Sequence, residues 1–157
     1  MRKDIVIDCD VGIDDALAIM LALASKEVKI RAITTVAGNA EVEKTSENAL
    51  KVLEAFDVSD IPVARGHARP LKRELYTAGY VHGLDGLGDA NLPRPKLKLD
   101  SHHAVDLIIE EAEREDLRLV CTGPLTNLAS ALSRAPHVVD RLRDVTIMGG
   151  AFGLTPY

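Results

Sequence analysis

Residues 4–24 read DIVIDCDVGIDDALAIMLALA, and the change of rhythm inside that stretch decides the fold. Up to Cys9 the chain is almost continuously apolar and rich in β-branched residues, the composition of a strand buried on both faces, as in a parallel sheet. From Asp14 onward Ala, Leu, Ile and Met take over, residues that lose little on entering a helix. The stretch therefore predicts a strand over Asp4–Cys9, an acidic loop, and a helix over Asp14–Ser25. That helix is apolar on every side, which predicts that neighbours enclose it.

The same alternation continues outward. Further strands are predicted near Val28–Val36, Ile61–Ala64, Leu117–Cys121 and Val145–Met148. A helix over Glu41–Phe56 places Val42, Ala49, Leu50, Leu53 and Phe56 on one stripe. Another, over His102–Arg114, turns Ala104, Leu107, Ile108 and Ala112 inward, with Ser101 as its N-cap. A fourth opens with Pro124 in its first turn, where a missing amide costs nothing, and carries Leu125, Leu128, Ala129 and Leu132. Alternating strands and helices predict a single α/β domain over residues 1–157: a Rossmann-like, open, mostly parallel sheet with helices on both faces. One region breaks the pattern. Between Gly66 and Asp100 lie more than thirty residues rich in Gly and Pro, including GYVHGLDGLGDANLPRP. So long a loop in a compact domain is expected to line or cover a site.

Composition narrows the partners. The 157 residues carry a net charge of −5 with no basic cluster, so the phosphate-neutralising footprint of a nucleic-acid binder is absent. The longest apolar run, Ala16 to Ala24, is far short of the ~20 residues that span a bilayer. The N-terminal MRKDIVID enters a strand pattern without an apolar leader, which makes the cytoplasm the expected compartment. Cys9 and Cys121 each sit in an apolar run and read as reduced, buried side chains. A small molecule is the expected partner.

In a parallel α/β sheet ligands bind beyond the carboxyl ends of the strands. Asp8 and Asp10 follow the first strand, Gly38 and Asn39 the second, Thr122 and Gly123 the fourth, and Gly149 and Gly150 the fifth. The motif DCDVGIDDA adds Asp14 and Asp15, so that four carboxylates fall within eight residues. Such repulsion in a partly buried loop calls for a cation or an unusual proton arrangement. Oxygen donors of this kind select Ca²⁺ or Mg²⁺. Two other readings stand beside this one: helix-start acids next to a solvated turn, and the Asp-x-Asp opening of the haloacid-dehalogenase phosphotransferases, whose second acidic pair comes much later in the chain. GLGDAN lacks the Lys and Ser/Thr of a P-loop and follows no strand, so it is no phosphate cradle.

The segment DCDVGIDDALAIMLAL resembles the opening signature of the nucleoside hydrolases of the inosine-uridine preferring type. Four more segments fall in that family's order: ITTVAGNA with Asn39, YVHGLDGLG with His82, LVCTGPLTNLA with Thr122, and TIMGGAF with Gly149 and Gly150. The match runs along essentially the whole chain and corresponds to the N-terminal half of the family pattern. The resemblance implies that Asp10 and Asp15 bind Ca²⁺ through their carboxylates and Thr122 through its main-chain carbonyl. It implies that Asp14 and Asn39 hold ribose hydroxyls, that Asp10 acts as general base on an activated water, and that His82 lies against the nucleobase. Asp8 is given a supporting role in ordering the loop. On the residues alone, His82 reads equally well as a solvated histidine in a Gly-rich turn. The implied reaction is hydrolysis of the N-glycosidic bond of a ribonucleoside, and since family members are commonly dimers or tetramers the resemblance implies a homo-oligomer. The alternative is a metal-binding and ribose-binding remnant or split subunit without turnover. In the family, a fourth calcium ligand and a histidine suited to the leaving base come after the double glycine. Fewer carboxylates predict weaker metal binding, and an unprotected sheet edge predicts self-association.

Overall fold

The computed structural model describes residues 2–150. The opening apolar run forms β1 (Lys3–Cys9), followed by α1 (Ile13–Ala24), β2 (Val28–Thr35), α2 (Val42–Ala55) and β3 (Val63–Arg65). A single turn, α3 (Gly79–His82), interrupts the long irregular segment. Then come α4 (Ala104–Ala112), β4 (Arg118–Cys121), α5 (Thr126–Arg134), α6 (Val138–Arg141) and β5 (Asp144–Ile147). The strands lie in the order β3-β2-β1-β4-β5, and every pairing is parallel. The open parallel sheet read from the sequence is the sheet observed.

Both faces of the sheet are covered. On one, Ile5, Ile7 and Cys9 of β1 meet Ala16 and Ile19 of α1 and Ala49, Leu50 and Leu53 of α2. On the other, Val6 and Leu119 meet Ala104, Val105 and Ile108 of α4 and Leu128 and Ala131 of α5. Each fully buried Ile or Leu in these layers contributes roughly 1.5–3 kcal/mol. The β1–β2 register slips between Ile5 and Val6: Ile5 pairs with Ile30 and Val6 with Ala32, leaving Arg31 unpaired in the ladder. An extra residue of this kind reverses the inside-outside alternation. This is why Ile30 and Ile33, three apart, both enter the same core layer.

Several expectations are corrected. α1 is not enclosed: Leu17 is 61% and Leu21 74% exposed, while Asp15, Ala16 and Ile19 are buried. An all-round apolar helix says nothing of which side the sheet covers, and here it covers one. β3 starts at Val63 rather than Ile61, because Pro62 has no N–H to give the ladder and contributes only its carbonyl, which accepts from Ile33 N (3.0 Å). α4 begins two residues later than predicted. His103, not Ser101, caps it, with Nδ1 accepting from Val105 N at 3.2 Å. α5 begins at Thr126 rather than at Pro124, and α6 went unpredicted. All four residues of β5, at the sheet edge, are exposed. Among the described residues no helix is long and apolar enough to cross a membrane. Ala151 and Phe152, the end of TIMGGAF, lie outside the described residues.

Candidate functional site

The carboxyl end of β1 is clamped from both sides. Val36 N donates to Cys9 O at 3.1 Å, and Thr122 N donates to Asp8 O at 2.9 Å. Three turns, after β1, β2 and β4, are thereby gathered at one rim. They bring Asp8 to Asp15, Gly38 with Asn39, and Thr122 with Gly123 into one neighbourhood.

The four acids part company there. Asp8 is wholly buried: Oδ1 accepts from Thr34 Oγ1 (2.6 Å) and Asn127 Nδ2 (2.8 Å), and Oδ2 has no partner among the described residues. Burial pushes its carboxyl up to about 6, against those two hydrogen bonds. Asp10 is buried, with Oδ2 accepting from Asn39 N at 2.7 Å. Burial, and after it the charge of Asp15, pushes Asp10 up to about 7 although the Asn39 N–H opposes the shift. Asp15 is buried as well, and reaches back to cap its own helix: Gly12 N donates to Oδ2 at 2.9 Å. Thr122 Oγ1 donates to Asp15 Oδ1 (2.5 Å) and Asn39 Nδ2 to Asp15 Oδ2 (3.4 Å). Its carboxyl too is raised, by burial first, against the Gly12 N–H and the Thr122 hydroxyl. Asp14, by contrast, stands exposed at the mouth. Asn39 thus touches both Asp10 and Asp15, one through its main chain and one through its amide.

Close approach explains two glycines. A Cβ on Gly38 would overlap the Asp10 carboxylate and come within 2.9 Å of Pro124. A Cβ on Gly12 would sit 2.5 Å from His82 Nδ1 and 2.7 Å from Asn39 Nδ2. His82 is accordingly no solvated turn residue. Its side chain is 12% exposed, Nδ1 accepts from Ile13 N at 3.2 Å, and the same atom lies 3.9 Å from Asp14 Oδ1.

Between these groups and β5 opens a hollow of about 320 Å³, with Asp10, Asp14, Asn39 and Thr122 on one side and Leu125 and Ile147 on the other. That volume is in the range of small-molecule sites. A larger hollow, about 560 Å³, borders the 68–75 segment, but its charged residues Glu41, Glu43, Arg69 and Arg73 stand in solvent. The smaller one is lined by Asp10, a buried acid with a raised carboxyl, and is the stronger candidate. Both cysteines are free and buried. Burial drives the Cys9 thiol far above its ordinary range and Cys121 up to about 12, so neither supplies a thiolate at neutral pH. Among the described residues no group of three or more His, Cys, Asp or Glu side chains is arranged to hold a metal ion. The acidic donors here are Asp10 and Asp15, bridged by the two nitrogens of Asn39, and the Thr122 hydroxyl adds an oxygen beside Asp15.

Two residues of this network are not evident from the sequence. Asn127, in the first turn of α5, joins three strand ends through its side chain. Nδ2 donates to Asp8 Oδ1 and to Thr35 O (2.9 Å), and Oδ1 accepts from His67 N (3.0 Å). Asn48 of α2, also buried, donates to Val11 O (3.3 Å) inside the acidic turn. The signal available was an amide side chain on the inward stripe of an amphipathic helix.

Comparison with known proteins matches residues 5–156 to the family model described as inosine-uridine preferring nucleoside hydrolase. The chain is 44% identical over 156 residues to the inosine-uridine preferring nucleoside hydrolase of Leishmania major, covering 97% of this chain and 50% of that protein. It is also 44% identical over 156 residues to the pyrimidine-specific ribonucleoside hydrolase RihA of Shewanella sp. (strain MR-7), covering 98% of this chain and 49% of that one. Among solved structures, a plant nucleoside hydrolase, the PpNRh1 enzyme, superposes with a TM-score of 0.93 at 39% identity, over 97% of this chain and 49% of its own. The chain spans about half the length of the curated relatives it matches.

Proposed function

Since the chain belongs to the inosine-uridine preferring nucleoside hydrolase family, we propose that its acidic rim takes part in hydrolysing the N-glycosidic bond of a ribonucleoside to ribose and a free base. In this reading Asp10 and Asp15 hold Ca²⁺ through their carboxylates and Thr122 through its main-chain carbonyl. The donor chemistry fits. All three contribute hard oxygens, and two buried acids with raised carboxyls would be relieved by a dication. When bound, the ion supplies the positive charge that lets a nearby water lose a proton near neutral pH.

The chain's own residues carry the remaining tasks. Asp10 takes the proton of that water; its Oδ2 is engaged by Asn39 N–H, which leaves Oδ1 to receive it. Asp14, at the mouth, and the Asn39 side chain hold ribose hydroxyls. The carboxylates also stabilise the positive charge that develops on the ribose ring as the base departs. His82 lies against the base, and Asp8 steadies the loop from beneath through Thr34 and Asn127.

The observation that carries this reading is the pair of buried carboxylates, Asp10 and Asp15, bridged by Asn39 at the edge of a small-molecule hollow. The test is a calorimetric calcium titration alongside an assay of ribose released from inosine and from uridine, for the protein and for Asp10→Ala. Calcium-dependent release, lost in the variant, is expected. Ribose and calcium binding without release would favour a binding role without turnover. Failure to bind calcium at all would end the proposal.

A further inference from the structure

Residues 83–91, GLDGLGDAN, fold around one side chain. Asp85 Oδ1 accepts from the backbone N–H groups of Leu87 (2.7 Å) and Asp89 (2.8 Å), and Oδ2 accepts from that of Asn91 (2.9 Å). Asp89 and Asn91 are held at φ 57° and 51°, a left-handed conformation that a residue with a side chain keeps only when its surroundings impose it. The gathered loop is fastened to α2. Asn48 Nδ2 donates to Asp85 O at 2.9 Å as well as to Val11 O, and Lys44 Nζ donates to Leu84 O at 2.7 Å. At its other end Gly88 N donates to His82 O at 2.7 Å. Loop, α2 and acidic turn therefore form one closed circuit with His82 inside it.

We propose that Asp85 is a positioning residue: by collecting the Leu87, Asp89 and Asn91 amides it locks the loop on α2 and so sets the His82 imidazole over Gly12 and Ile13. Its consequence for catalysis rests on the reading of His82 as a contact to the nucleoside. Asp85 itself touches neither substrate nor metal in that reading. It acts only through the backbone that carries His82.

Two variants grade the effect. Asp85→Ala removes both acceptor oxygens and with them all three bonds, whereas Asp85→Asn keeps one oxygen, enough for the two bonds now made at Oδ1. The first readout is hydrogen exchange at the Ile13 amide together with the ring ¹⁵N signals of His82. In Asp85→Ala the Ile13 amide is expected to exchange at least about tenfold faster, and the His82 signals to lose the signature of an Nδ1 acceptor, with Asp85→Asn intermediate. The rim amides of Val36 and Thr122 should keep their protection. The second readout is kinetic: KM for nucleoside rises roughly tenfold while kcat and calcium affinity change little. An unchanged Ile13 amide and His82 ring in Asp85→Ala would overturn the proposal, as would equal loss of protection at Val36 and Thr122. If Asp85→Ala does not fold, Asp85→Asn decides by the same signals. A wild-type protein that cleaves no nucleoside counts against the proposed function alone, because the exchange and imidazole readouts need no turnover.

Discussion

Replacing Asp10 by Asn keeps the size of the side chain and an oxygen able to accept from Asn39 N–H, and removes one buried negative charge. Burial first, and the neighbouring Asp15 second, raise the Asp10 carboxyl from 3.8 to about 7. About three pKa units at ~1.4 kcal/mol each put the ionised form at a disadvantage of about 4 kcal/mol relative to a solvated carboxylate. Because the folded value lies above the unfolded one, the contribution of Asp10 to stability is fully present below about pH 4 and is lost as the pH rises through about 7. The variant escapes that loss. Urea unfolding in the presence of a chelator should find Asp10→Asn more stable than wild type at pH 8, by about 2–4 kcal/mol, with the gap narrowed to about 1 kcal/mol or less at pH 4.5. Calcium in excess should then reverse the order at pH 8, since the wild type, with one more negative charge at the ion, binds it more tightly and gains more. The same gap at both pH values, or none at either, would show that Asp10 ionises as it would in water, and the electrostatic basis of the site would fall.

Two further substitutions probe the frame. Asn127→Ala deletes the bonds to Asp8, Thr35 and His67 inside the protein, so a loss of about 3 kcal/mol is expected in urea unfolding; a loss under about 1 kcal/mol would mean that water replaces the amide readily. Leu17→Lys should change stability by no more than about 0.5 kcal/mol, as its side chain stands largely in solvent; a drop of about 2 kcal/mol in the thermal transition would mean that this flank of α1 is covered in solution.

The strands were legible wherever β-branched residues ran together, as at Ile5–Ile7 and Ile33–Val36. Their parallel arrangement followed from the helical stretches between them. What escaped notice was set by neighbours rather than by local composition. Leu17 and Leu21 look as core-like as Ile19, and only the sheet's position separates them. The slip at Arg31 depends on how β1 lies beside β2, which no single segment records. At the site, the acids announced themselves by crowding. Their division into a sealed Asp8, buried Asp10 and Asp15 and an open Asp14 depends on Thr34, Asn39, Thr122 and Asn127, up to 119 positions away along the chain. Residue types named the participants, and the contacts between distant segments assigned their surroundings.

The central position of β1 has a consequence for the order in which the protein matures. Its partnership with β2 joins neighbours in sequence, but its other partnership joins Ile5 to Arg118 and Asp8 to Cys121, roughly 110 residues apart. Closing so large a loop is slow and draws its reward late. During synthesis, Asp10 and Asp15 therefore emerge long before Thr122 is made, and the acidic turn waits as a half-built socket until the second ladder zips beside it. Any competence of that rim is a property of the finished sheet, acquired at the last step rather than inherited from the motif that announces it.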